Sequence, residues 1–138
     1  MSEINDIQRA LIGSAGGGAT VVGSAETLIP TQDGERNLNF ASIDQANVVC
    51  YFAAKVARLN AGTTSTFRVR VGGTIGGIDG TVVATITVTG AEAQAINVGS
   101  SFTKPSGANG DLVKVTAQGD DAASVSTIEG ITIQFKGV

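Results

Sequence analysis

Thr66-Phe67-Arg68-Val69-Arg70-Val71 is the stretch whose reading decides the fold. Phe67, Val69 and Val71 fall on one face of an extended strand and Thr66, Arg68 and Arg70 on the other, the period-two alternation of half-buried β structure. After a Gly-rich connection the pattern returns: Val82, Ala84, Ile86 and Val88 share one face, and Val83, Thr85, Thr87 and Thr89 the other. A two-stranded ribbon with one dry face is not stable alone in water, so a second layer must cover it.

Working outward, Asn47 to Leu59 reads as the longest strand, with Val48, Cys50, Phe52, Ala54 and Val56 on its dry face. Ala19 to Val22 and Thr27 to Ile29 read as short edge strands ended by Pro30, which has no N–H for a central ladder. Leu38 and Phe40 give a brief alternation, and Ile96 and Val98 mark another short strand. A long loop from Gly99 to Gly110 follows. Val113, Val115 and Ala117 then oppose Leu112, Lys114 and Thr116, and Ile131, Ile133 and Phe135 oppose Thr132, Gln134 and Lys136. Strands separated by turns, with no long helical period after residue 18, predict an all-β, jelly-roll-like antiparallel sandwich.

Residues 1–18 differ, and the expected division is an N-terminal arm with a glycine joint (1–18) followed by the sandwich domain (19–138). Ile4, Ile7, Leu11 and Ile12 recur at helical spacing, which fits a short amphipathic helix over residues 2–15, with an extended arm as the alternative. Gly16-Gly17-Gly18 cannot hold a helix and reads as a tether. The apolar stripe of the arm either docks on its own domain or reaches another chain; on the second reading, which the tether favours, the arm is dispensable for folding the sandwich.

Composition excludes more chemistry than it suggests. The chain has 138 residues, a formal net charge of −3 and only 15% charged residues, and its nine basic residues are scattered, so no nucleic-acid partner is expected. The opening Met1-Ser2-Glu3-Ile4-Asn5-Asp6 lacks the apolar core of a secretion signal, and no apolar run approaches the roughly 18 residues of a membrane span. The expectation is synthesis in a cytoplasm and no membrane partner. The absence of histidine removes the commonest general base and transition-metal ligand. Ser100-Ser101 has no evident base beside it, and the Gly13 to Gly18 run lacks the flanking strand, helix and Lys-Ser/Thr pair of a phosphate loop. Asp33, Glu35, Asp79, Asp111, Asp120 and Asp121 occupy turn positions, where aspartate is favoured for local backbone hydrogen bonds. Gly76-Gly77-Ile78-Asp79 is similar to one unit of a calcium-binding nonapeptide repeat, but a single unit forms no site. No catalytic residue, cofactor or metal is therefore expected.

The single cysteine, Cys50, rules out an intramolecular disulfide and shares its phase with Phe52, which predicts a buried thiol. Four phenylalanines, Phe40, Phe52, Phe67 and Phe135, are in phase with core residues. Phe102 lies in the long loop as a candidate contact. The row Thr66, Thr85, Thr87, Thr89 and Thr132, with Arg68 and Arg70 beside it, has two readings: a subunit contact, or threonine chosen for β-propensity alone.

The arm and joint at Glu3 to Gly18, the alternating strands at Thr66 to Thr89 and the terminal strand Ile131 to Phe135 together resemble the small jelly-roll decoration, or cement, proteins of tailed bacteriophage heads. The resemblance implies a non-enzymatic homotrimer on the outer capsid surface of a virion, bridging neighbouring subunits of the major capsid protein against internal DNA pressure. It carries no motif, so no residue role transfers. The contact candidates come from the sequence itself: Ile4, Ile7, Leu11 and Ile12 in the arm, Ile75 and Ile78 in the Gly-rich loop, and Phe102 and Lys104 in the long loop. The alternative is a receptor- or carbohydrate-binding sandwich module of a phage tail or fibre.

Overall fold

A computed structural model of the chain describes residues 7–12, 19–29, 35–58, 64–89, 92–105 and 112–138. The strands are β1 Ile7–Ile12, β2 Ala19–Val22, β3 Thr27–Leu28, β4 Glu35–Asn37, β5 Asn47–Arg58, β6 Thr64–Val71, β7 Thr81–Thr89, β8 Glu92–Val98, β9 Phe102–Thr103, β10 Leu112–Gly119 and β11 Val125–Gly137. A 3-10 turn at Phe40–Ser42 precedes β5.

The strands form two antiparallel sheets. One runs β1-β11-β5-β8, with β2 also on β11 and β9 also on β5; the other runs β3-β10-β6-β7, with β4 also on β10. β1 and β2 take successive stretches of one strand, Ile131–Lys136 and Val125–Ile128. β3 and β4 divide β10, and β8 and β9 divide β5, in the same manner. Treating each split pair as a single strand leaves eight, in sheet orders 1-8-3-6 and 2-7-4-5. That is the jelly roll, in which the chain repeatedly crosses from one sheet to the other.

Alternation places the core as the sequence predicts in most strands. Val48, Cys50, Phe52 and Ala54 of β5 and Ile131, Ile133 and Phe135 of β11 line one inner face; Phe67, Val69 and Val71 of β6, Ile86 and Val88 of β7, and Val113, Val115 and Ala117 of β10 line the other. Phe40 stands edge-on to Phe135 at 4.9 Å between ring centroids, and Phe102 stands edge-on to both, at 6.5 and 6.0 Å. These T-shaped contacts close one end of the sandwich.

Four expectations need correction. Residues 7–12 are a strand, not part of a helix, and pair with β11 from Ile7↔Lys136 to Ile12↔Ile131. A helix this short is marginal in water, whereas the open edge of β11 supplies a backbone partner for every second residue. Residues 7–12 are thus paired with the sheet, and Ile4 and the glycine joint at 16–18 lie outside the described residues. β5 is described from Asn47 to Arg58, with Leu59 outside the described residues, and β11, with 13 residues, exceeds those 12 by one. Phe40 lies in a 3-10 turn rather than a strand. Finally, Val69 pairs with Ala84 but Arg70 pairs with Val82, so Val83 is an extra residue in a β-bulge. The bulge reverses the phase: Val83 is buried and Val82 is 42% exposed.

Two outcomes follow from this packing. Phe67→Ala or Phe135→Ala should cost about 3–5 kcal/mol, the range for emptying a buried aromatic site, and denaturant melts within about 1 kcal/mol of wild type would contradict the assigned core. Burial pushes the Cys50 thiol up to about 12. Because the thiolate is the reactive form, Cys50 should label slowly with a disulfide reagent at neutral pH until denaturant is added.

Candidate functional site

β10 is buried on both faces. The inner row of Val113, Val115 and Ala117 packs in the core, and the alternate row, Leu112, Lys114 and Thr116, is covered as well. The Lys114 side chain has no solvent exposure. An ammonium in such a place needs an acceptor for each of its three protons. It finds them in the connection between β6 and β7: Nζ donates to the Thr74 carbonyl at 2.7 Å, the Gly77 carbonyl at 2.9 Å and Asp79 Oδ1 at 3.0 Å.

The Gly72–Gly80 loop is folded down onto that ammonium by its glycines. Gly73 and Gly76 have φ of +88° and +81°, where a side chain would strain the backbone. A Cβ on Gly73 or Gly77 would also lie 2.7 or 2.8 Å from Asp79 Oδ1, so these positions leave room for the carboxylate. Asp79 accepts from the Thr74 N–H through Oδ1 and from the Thr74 hydroxyl through Oδ2, both at 2.9 Å. The Gly77 N–H bonds to the Thr74 carbonyl at 2.9 Å, and Arg70 holds the loop's far end through the Gly80 carbonyl at 3.1 Å. Two carbonyls and a carboxylate thus converge on a cation, and that cation is the chain's own ammonium.

With the polar groups turned inward, the aliphatic ones stand outward. Ile75 is 68% and Ile78 45% exposed. The other candidate contacts lie elsewhere. Phe102 is half-buried against Phe40 and Phe135, and Lys104 donates through Nζ to the Ile43 carbonyl at 2.6 Å, so both anchor their own loop. Ile7, Leu11 and Ile12 sit on the outer strand beside β11.

Nor are Arg68 and Arg70 open for a partner. Both reach Glu26: Arg70 donates to Oε2 through NH2 at 2.8 Å and Nε at 3.2 Å, and Arg68 lies 3.5 Å from the same oxygen. Thr116 donates its hydroxyl to Glu26 too, and Gln118 bonds to both Arg68 and the Ser24 carbonyl. This network straps residues 23–26 across the outer face of β6 and β10. Burial alone would raise the Glu26 carboxyl, but the Thr116 and Arg70 hydrogen bonds outweigh it and hold the group below the usual carboxylate range. The Thr74 N–H, with Lys114 and the Thr74 hydroxyl, holds Asp79 well below that range. Among the described residues no three His, Cys, Asp or Glu side chains gather as a metal cluster.

Comparison with known proteins shows the fold. No family model and no curated protein matches the sequence. The structure is similar to a chain of the infectious bursal disease virus Gx strain, with a TM-score of 0.54 at 9% identity over 95% of this chain and 32% of that one. A chain of the T13 particle of the same virus gives 0.52 at 12% identity, over 96% and 31%. The family 22 carbohydrate-binding module of Clostridium thermocellum Xyn10B gives 0.50 at 16% identity, over 93% of this chain and 84% of that one. This chain therefore spans about a third of the virus chains and most of the binding module. The class so defined is the jelly-roll β-sandwich, which occurs both in viral capsids and in carbohydrate-binding modules.

Lys114→Met keeps the aliphatic stem and removes the ammonium, leaving the Thr74 and Gly77 carbonyls without that donor. The expected cost is about 1–3 kcal/mol, with faster hydrogen exchange at the Gly77 amide; unchanged protection there would show that the loop holds itself. The folded-state titration of Asp79 is lowered, so its contribution is present above the unfolded aspartate midpoint and is lost only as pH falls through the lower folded value. The Thr74 amide resonance should accordingly stay in place as pH drops through the ordinary aspartate range; a shift centred in that range would contradict the contact.

Proposed function

We propose that this chain is a non-enzymatic structural protein of a virion: a decoration, or cement, protein made in the host cytoplasm and seated as a homotrimer on the outer capsid surface. There it bridges neighbouring subunits of the major capsid protein. The observation that carries this reading is the Gly72–Gly80 loop, which presents Ile75 and Ile78 to solvent on a backbone held by the buried Lys114 ammonium. Isolated exposed aliphatics are ordinary. Two on one pre-organised loop make an adhesive knob, because the ordering cost of docking is already met in the free protein. The two carboxylates with lowered titration support the non-enzymatic part. Asp79 is matched to Lys114 and Glu26 to Arg70 and Arg68, so each is fixed in its charged form rather than poised to exchange a proton. The jelly roll shared with the virus chains is compatible with this role at the level of fold.

The test is co-sedimentation of the purified protein with undecorated heads of the parent phage. Saturable binding is expected, and Ile75→Asp/Ile78→Asp should weaken it at least about 100-fold, since each buried isoleucine is worth about 1.5–3 kcal/mol, while the melting temperature stays unchanged. Binding to tails alone would instead favour the receptor- or carbohydrate-binding reading.

A further inference from the structure

A cleft of about 340 Å³ lies between β7 and the segment that joins β8 to β9, lined by Val82, Val83, Ala84 and Thr85 on one side and Gly99, Ser100, Ser101 and Phe102 on the other. Its construction is rigid. The Gly99 N–H bonds to the Cys50 carbonyl at 2.9 Å, and Gly99 lies so close to β7 that a Cβ there would stand 1.8 Å from the Val83 oxygen. At the other end, Phe102 is wedged edge-on against Phe40 and Phe135, and Lys104 is tied through its N–H to the Ala46 carbonyl at 2.9 Å and through Nζ to the Ile43 carbonyl. Between these anchors Ser100 and Ser101 stand exposed. The bulge at Val83 opens the opposite wall by turning Val82 outward.

The lining has a definite chemistry. None of the eight residues carries an ionisable side chain, so an anionic or cationic ligand would shed water without gaining a counter-charge. A purely apolar ligand would instead strip the serine hydroxyls and strand-edge peptide groups of their hydrogen bonds. A ligand with hydroxyls on its rim and C–H groups on its face meets both halves: hydroxyls to Ser100 and Ser101, and the apolar face to Phe102 and Val82. We propose that this cleft binds an uncharged saccharide of one or two residues. The site shares no residue with the Ile75–Ile78 knob, so it goes beyond the capsid reading and stands or falls separately.

The experiment is titration of the 15N-labelled full chain with neutral disaccharides (cellobiose, xylobiose and maltose) and with glucuronic acid as the charged control, followed by amide chemical shifts. At least one neutral sugar should give saturable shifts confined to residues 82–85 and 99–102, with glucuronic acid weaker. Ser100→Ala/Ser101→Ala should lower that affinity about tenfold without changing the melting temperature, and Ser101→Glu should abolish it. Absence of saturable shifts with all three disaccharides, shifts centred elsewhere, equal binding by glucuronic acid, or unchanged affinity in the double alanine variant would each overturn the proposal. Because those variants leave Ile75 and Ile78 intact, head binding that persists while sugar binding is lost separates the two sites.

Discussion

An ammonium without solvent access survives only where its protons are all accepted, and that requirement at Lys114 organises one side of the molecule. The Thr74 and Gly77 carbonyls and the Asp79 carboxylate surround it, which forces the β6–β7 connection down over the outer face of β10. That in turn demands glycine at 73 and 77, where a Cβ would press on the Asp79 carboxylate. Ile75 and Ile78 are left facing outward. Lys114 is a charged side chain that is fully buried, and removing one partner of such a contact is more damaging than never having had it.

The same face is closed at its other end by different chemistry to the same effect. Glu26 gathers Arg68, Arg70 and Thr116, and Gln118 ties Arg68 to the Ser24 carbonyl. Between the strap at residues 23–26 and the loop at 72–80, β10 becomes an interior strand with polar groups covered on one side and aliphatics on the other. What remains open on β6 and β7 is threonine, with Val82 at the bulge: Thr64 and Thr89 share a hydroxyl hydrogen bond at 2.7 Å, and Thr66 pairs across from Thr87. Arg68, Arg70 and Lys114 of this sheet are spent within the chain, while the exposed loop tip is aliphatic. A surface of that kind suits docking by apolar burial rather than by charge.

Period-two alternation made most of the fold legible, because a residue's face follows directly from its parity when a strand is regular. Phe52, Phe67, Ile133 and Phe135 all lie where parity puts them. Parity failed at Val82 and Val83, since a bulge adds one residue and no local signal marks it. Helical spacing misled at residues 7–12, where the partner that makes them a strand, β11, lies more than a hundred residues away. The loop at Ile75 and Ile78 could be singled out from its glycines. Lys114 could not, because alternation alone makes it an outward-facing polar residue; only the pairing of a lone aspartate in a Gly-rich loop with a nearby buried strand explains it. Phe102 and Lys104 were conspicuous in the sequence for the right reason, an unusual loop, but their side chains hold that loop to the core.

The central claim is that the Lys114-held loop is the face by which the chain meets a capsid. Electron cryomicroscopy of the parent virion tests it most directly, at a resolution that traces β-strands. The account predicts jelly-roll density on the outside of the head, in groups of three, with the Gly72–Gly80 loop turned down onto the major capsid protein and Ile75 and Ile78 buried there. Density with that loop pointing to solvent, or a head surface without this chain, would contradict it.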